Sequence, residues 1–203
     1  MLWIGIAAMA AIVTLSNILV QHLLGDWLTW GALTYPFAFL VTDLCNRLMG
    51  VRAARRVVVA GFAMGVLCSL IASQLTGPEG YPLTTLRIAI GSGLAFLAAQ
   101  LLDVAIFDRL RAGSWWRAPL VSSVLGSALD TGLFFFIAFS GALVMMDPGQ
   151  PNAWAREAVP LLGAGPMLPL WVSLAMADFA VKLGLALVAL VPFRLIARRA
   201  EAR

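Results

Sequence analysis

The chain has 203 residues, of which 62% are hydrophobic and 12% charged, with a formal net charge of +4 and a mean hydropathy of +0.93. A soluble globular domain carries about 25% charged residues, and its apolar positions recur at helical or strand period rather than in unbroken runs. The composition therefore excludes a water-soluble domain and points to an integral membrane protein.

Six apolar segments follow one another. The first, residues 2–24, holds no Asp, Glu, Lys or Arg and is long enough for a hydrocarbon core about 30 Å thick. Met1-Leu2-Trp3 lacks the basic start of a signal peptide, and the apolar run is too long for one, so the segment is expected to stay as a span. Asn17 and Gln21 share one face of it. The second, residues 28–46, carries Trp27 and Trp30 at its outer end as interfacial anchors. Pro36 interrupts its backbone ladder, which makes Thr34-Tyr35-Pro36-Phe37 a candidate site wall. Asp43 and Arg47, four residues apart, are spaced for a pair. The third, residues 57–77, contains Gly61 and Gly65 in a GxxxG spacing and ends at the turn cluster Gly77-Pro78-Glu79-Gly80. The fourth, residues 84–107, has the small pair Gly91 and Ala95, then Gln100 and Asp103 on one face. These small-residue pairs suggest close packing within the bundle or a homodimer. The fifth, residues 118–145, follows Trp115-Trp116 and places Asp130 about 18 Å deep, near the midplane. A loop rich in Pro and Gly leads to the sixth, residues 167–193, where Asp178 and Lys182 lie on one face, acid first.

The basic residues orient these spans. Arg47, Arg52, Arg55, Arg56, Arg109, Arg111, Arg117, Arg194, Arg198, Arg199 and Arg203 fall on one side, and Arg87 and Arg156 on the other. The expected fold is thus an all-α bundle of six transmembrane helices in one domain over residues 1–203, with both termini in the cytoplasm. Topology accounts for the sequence pI of about 9.8, so no nucleic-acid partner is expected. Cys45, Cys68 and the single His22 match no metal spacing, and no metal or cofactor is expected. The motifs of P-loop nucleotide hydrolysis, of serine hydrolases and of zinc proteases are missing, so the chain reads as a non-enzyme.

Function is then sought among groups that lipid rejects. An ionisable side chain at the bilayer centre costs at least about 2.5–3.5 kcal/mol, yet Asp43, Asp103, Asp130, Asp178 and Lys182 lie within the spans. Asp130 has no basic residue within a turn of its own helix, so it needs a partner from another helix or a ligand. Asp43–Arg47 and Asp178–Lys182 also have plain structural readings as ion pairs.

Several blocks together resemble the queuosine precursor transporters of the vitamin uptake transporter family. They are Ser16-Asn17 with Val20-Gln21; Thr29-Trp30-Gly31-Ala32, Pro36-Phe37, Thr42-Asp43-Leu44 and Arg47; Gln100, Leu102-Asp103-Val104 and Arg109-Leu110-Arg111; Asp130-Thr131 with the run Phe134 to Phe139; and Asp178-Phe179 with Lys182. The resemblance implies uptake of 7-cyano-7-deazaguanine and 7-aminomethyl-7-deazaguanine across the bacterial inner membrane, for salvage into tRNA. A carboxylate accepts the paired N–H donors of such a base, and amides read its carbonyl. The candidate substrate residues are Asn17, Gln21, Tyr35, Phe37, Asp43, Gln100, Asp103, Asp130, Phe134, Asp178 and Lys182. Asp130 and Asp178 are equal candidates for the key carboxylate, Lys182 tunes its charge, and Tyr35, Phe37 or Phe134 stack on the ring. A carrier with a midplane site is the leading reading, whether proton-coupled or facilitated. A substrate-binding membrane subunit of an ATP-driven importer is the alternative, and a structural or assembly protein is the third.

Overall fold

The structure is a computed structural model that describes residues 1–77, 80–146, 149 and 152–201. Seven α-helices follow in order: α1 (Leu2–Leu19), α2 (Trp30–Thr34), α3 (Phe37–Met49), α4 (Val51–Gln74), α5 (Leu86–Leu110), α6 (Arg117–Phe139) and α7 (Leu170–Glu201). Among the described residues, five of them, α1, α4, α5, α6 and α7, are long and apolar enough to cross a membrane. The chain is therefore an all-α membrane protein in its architecture, decorated by two small antiparallel hairpins. Strands β1 (Leu23–Leu24) and β2 (Leu28–Thr29) form the first, and β3 (Ala158–Pro160) and β4 (Met167–Pro169) the second. Strands this short fall below the length at which alternation can be read from sequence.

The boundaries depart from the hydropathy segments for local reasons. Pro36 is the N-cap residue of α3 and divides the second segment into five-residue α2 and thirteen-residue α3; its ring and missing N–H stop a continuous helix. The helix of the third segment, α4, starts at Val51 rather than residue 57, because Arg52, Arg55 and Arg56 remain helical beyond the apolar stretch. The fifth ends at Phe139, where residues Gly141–Met146 tighten into a 3₁₀ turn. The last begins at Leu170, behind strand β4, and runs on to Glu201.

Two glycines fix close geometry. Gly50, at φ +84°, joins α3 to α4 in one residue, a conformation that strains other residues. Gly31 lets α2 lie against the end of α1, where an added Cβ would stand 2.9 Å from the backbone of Ser16 and of Val20. The most extensive helix contact joins α5 to α6, with Gly91 against Ile137 and Ala138. Gly61 packs against Met9 and Phe96, so both small-residue pairs supply contacts within the chain. An apolar cluster of Met9, Val13, Ala38, Val57, Val58 and Phe96 joins α1, α3, α4 and α5. Large apolar side chains such as Ile4, Leu70, Leu187 and Val191 stand exposed on the outside, where lipid solvates them.

Arg87, counted by the sequence on the outer side within the fourth span, lies in the first turn of α5. It is fully buried, and its Nε donates to the Ile137 carbonyl at 2.6 Å while a terminal nitrogen donates to the Ser140 carbonyl. The guanidinium thereby satisfies carbonyls at the C-terminal end of α6 and suits the helix dipole there. At the other end of the bundle, Arg47 donates to the Arg111 carbonyl at 3.1 Å and Arg111 donates back to the Arg47 carbonyl at 3.4 Å. The α3–α4 and α5–α6 connections therefore meet at one end.

Packing at Gly61 predicts that Gly61→Leu costs roughly 1–3 kcal/mol through overpacking. A thermal-unfolding scan of the purified variant in detergent should show a lowered midpoint.

Candidate functional site

The polar residues of α6 and α7 converge around Lys182. Its ammonium donates to Asp130 Oδ2 at 2.7 Å, to Asp178 Oδ2 at 2.5 Å and to Thr131 Oγ1 at 3.0 Å. Those three bonds use all three ammonium protons. Tyr35, placed at the break between α2 and α3, donates its hydroxyl to Asp130 Oδ1 at 2.8 Å, and its ring lies 5.4 Å from Nζ. Thr131 donates to Asp178 Oδ2 at 2.7 Å. The Lys182, Asp130 and Asp178 side chains are 4%, 7% and 14% exposed. Two acids thus surround one cation in a site largely shut off from solvent, and only Asp178 keeps appreciable access.

These groups form the floor of a cavity of about 1110 Å³. Asn17, Gln21, Tyr35, Asp130, Phe134, Asp178 and Lys182 line it, with Phe96, Phe135 and Phe139 adding aromatic wall. The lining also includes Asp26 and Trp27 of the first hairpin loop, Thr84 and Thr85 before α5, and Trp154. The cavity accordingly opens at the end of the bundle opposite the Arg47–Arg111 contact.

The other four sequence candidates lie elsewhere. Phe37 is 38% exposed on the outer surface; the break at Pro36 turns Tyr35 inward and leaves Phe37 outside. Gln100 is buried and accepts from Thr42 Oγ1 at 2.6 Å. Asp43 accepts from Ser122 and Ser123, each at 3.3 Å, and not from Arg47, which turns to the Arg111 carbonyl. Asp103 is fully buried beside Asp43 and Ser122. These last three sit deeper than the floor, toward the arginine-rich end. A second cavity, of about 10 Å³, lies on that side of the floor, with Asp43, Ser123, Ser127 and Lys182 as its polar walls. Sequence reasoning passed over Thr131, Ser123 and Ser127, although Ser123, Ser127 and Asp130–Thr131 recur on one helical face of α6.

A charged cluster flooring a large cavity within apolar helices is the arrangement of a membrane transporter. Residues 29–197 match the family described as "Putative vitamin uptake transporter". The chain is 34% identical to the "Queuosine precursor transporter" of Escherichia coli, over 89% of this chain and 79% of that protein. It is 40% identical to the "Probable queuosine precursor transporter" of Haemophilus influenzae, over 63% of this chain and 57% of that protein. A Bacillus subtilis protein bearing the same description is 30% identical over 68% of this chain and 67% of its own length. No solved structure matches the chain. The chain belongs to the vitamin uptake transporter family. It is a multi-pass transporter of the bacterial inner membrane and not an enzyme.

The buried cluster predicts that Lys182→Met destabilises the fold by about 3–5 kcal/mol, because two acids lose their counter-charge. Adding Asp130→Asn and Asp178→Asn to that variant should restore part of the loss, read as detergent unfolding midpoints.

Proposed function

We propose that this protein imports the queuosine precursors 7-cyano-7-deazaguanine and 7-aminomethyl-7-deazaguanine through the large cavity. The names of its relatives support a queuosine precursor as cargo. The observation that carries the site assignment is the unequal use of the two acids. Asp130 spends both oxygens, one on Tyr35 and one on Lys182. Asp178 spends only Oδ2, and its Oδ1 has no partner among the described residues. Asp178 therefore offers the base a carboxylate oxygen for its N–H donors, with charge assistance. Asp130 and Lys182 hold Asp178 in place and set the local charge. Phe134 and Tyr35 supply ring faces, and Asn17 and Gln21 supply amides at the wall.

The crossing pattern fits import. We infer that α2 and α3 together make a sixth, broken crossing, which places both termini in the cytoplasm. The meeting of Arg47 with Arg111 and the arginines of α4 and α7 support this orientation under the positive-inside rule. The large cavity then faces the outside, ready to take up cargo.

In a strain unable to make queuosine, the wild type should restore queuosine to tRNA when a precursor is supplied. Asp178→Asn should lower initial uptake of labelled base roughly 10- to 100-fold, as expected for a lost charged hydrogen bond. A well-expressed wild type that restores no queuosine and carries no base overturns the assignment.

A further inference from the structure

The polar interior does not stop at the floor of the cargo cavity. Lys182 lines both cavities, and the smaller one leads from it to Asp43 past Ser127 and Ser123. Its volume of about 10 Å³ matches the room one water needs. Behind Asp43, which is 2% exposed, stands Asp103, fully buried on α5. Neither carboxyl oxygen of Asp103 has a hydrogen-bond partner among the described residues.

The neighbouring helices present these groups around Asp43. From α5 comes Asp103, another acid; from α6 come only the Ser122 and Ser123 hydroxyls. From α7 comes Lys182 across the small cavity, already bonded to Asp130 and Asp178. On α3 itself, Arg47 donates to the Arg111 carbonyl. The apolar cluster on the α1 and α4 side is built of Met9, Val13, Ala54, Val57 and Val58. Two carboxylates side by side, out of water and with no cation bonded to them among the described residues, are costly within a membrane protein. Binding one proton between them removes the repulsion.

We propose that Asp43 and Asp103 form a proton-binding station that couples cargo uptake to the inward movement of a proton, with the small cavity as its link to Lys182. In this scheme one of the three ammonium bonds opens, Lys182 Nζ turns toward the small cavity, and it passes a proton through one water there to an Asp43 carboxylate oxygen. Lys182 is reprotonated from external water in the large cavity, and the carboxyl pair releases its proton to cytoplasmic water when the inner end opens. One proton enters and one leaves, so every group returns to its starting state. The proposal rests on the transport reading above, and the closing experiment separates the two.

The protein is reconstituted in liposomes with labelled, uncharged 7-cyano-7-deazaguanine and a lumenal pH dye. With the outside one pH unit more acidic, one-to-one coupling sustains about tenfold accumulation, and the lumen should acidify as base enters. Asp43→Asn and Asp103→Asn should keep base-for-base exchange but lose gradient-driven accumulation. Both variants accumulating base like the wild type would overturn the station. A wild type that exchanges base yet neither responds to the gradient nor acidifies the lumen overturns the coupling while leaving the transport reading intact. That wild-type measurement holds even if a variant fails to fold. A wild type that exchanges no base at all overturns the transport reading itself.

Discussion

The ammonium of Lys182 is the constraint around which the rest is arranged. A lysine in a membrane interior persists only where its charge is paired and its donors are all used. Here three bonds tie it to Asp130, Thr131 and Asp178, so the relative position of α6 and α7 is set by one side chain. Tyr35 extends the network to the break between α2 and α3. Two acids against one cation leave an excess of acceptor capacity, and that excess appears at Asp178 Oδ1, which has no partner among the described residues.

The remaining architecture serves to hold that cluster between two cavities of very different size. The α5–α6 pair, closely packed through Gly91 and braced by Arg87 at the end of α6, forms a rigid wall. The divided α2–α3 segment is the opposite case. Its proline removes one ladder bond and leaves a short helix, a tyrosine and a second helix able to approach the site from different angles. Discontinuous helices at a midplane site are a recurring device in transporters. The wide cavity on one side of Lys182 and the water-sized one on the other give the cluster unequal access to the two ends of the bundle.

The chemistry of the wall suits a flat, weakly polar base. Phenylalanines and Tyr35 line the cavity beside a few polar groups, and under the proposed function the rings are there to stack and the polar groups to orient the base, the usual division of labour in small-molecule sites. The interior charges are concentrated in Asp130, Asp178 and Lys182 at the cavity and in Asp43 and Asp103 beyond it, and the family membership of the chain is that of a transporter.

Composition and charge placement alone determined that this chain is a helical membrane protein, because a run of about 20 apolar residues has no other stable use. The pairing of Asp178 with Lys182 was also legible, since residues four apart on a helix must share a face. So was the need of Asp130 for something beyond its own helix, a partner from another helix or a ligand. Tertiary structure alone decided that this partner is Lys182, that Asp43 turns to Ser122 and Ser123 instead of Arg47, and that Arg87 is buried at the end of α6. Spacing along one helix says nothing about what a neighbouring helix presents, and the rotation of each helix is set by packing between helices. The same reason separates Tyr35 from Phe37: sequence places both beside Pro36, and only the direction of the broken helix sends one inward and the other to lipid.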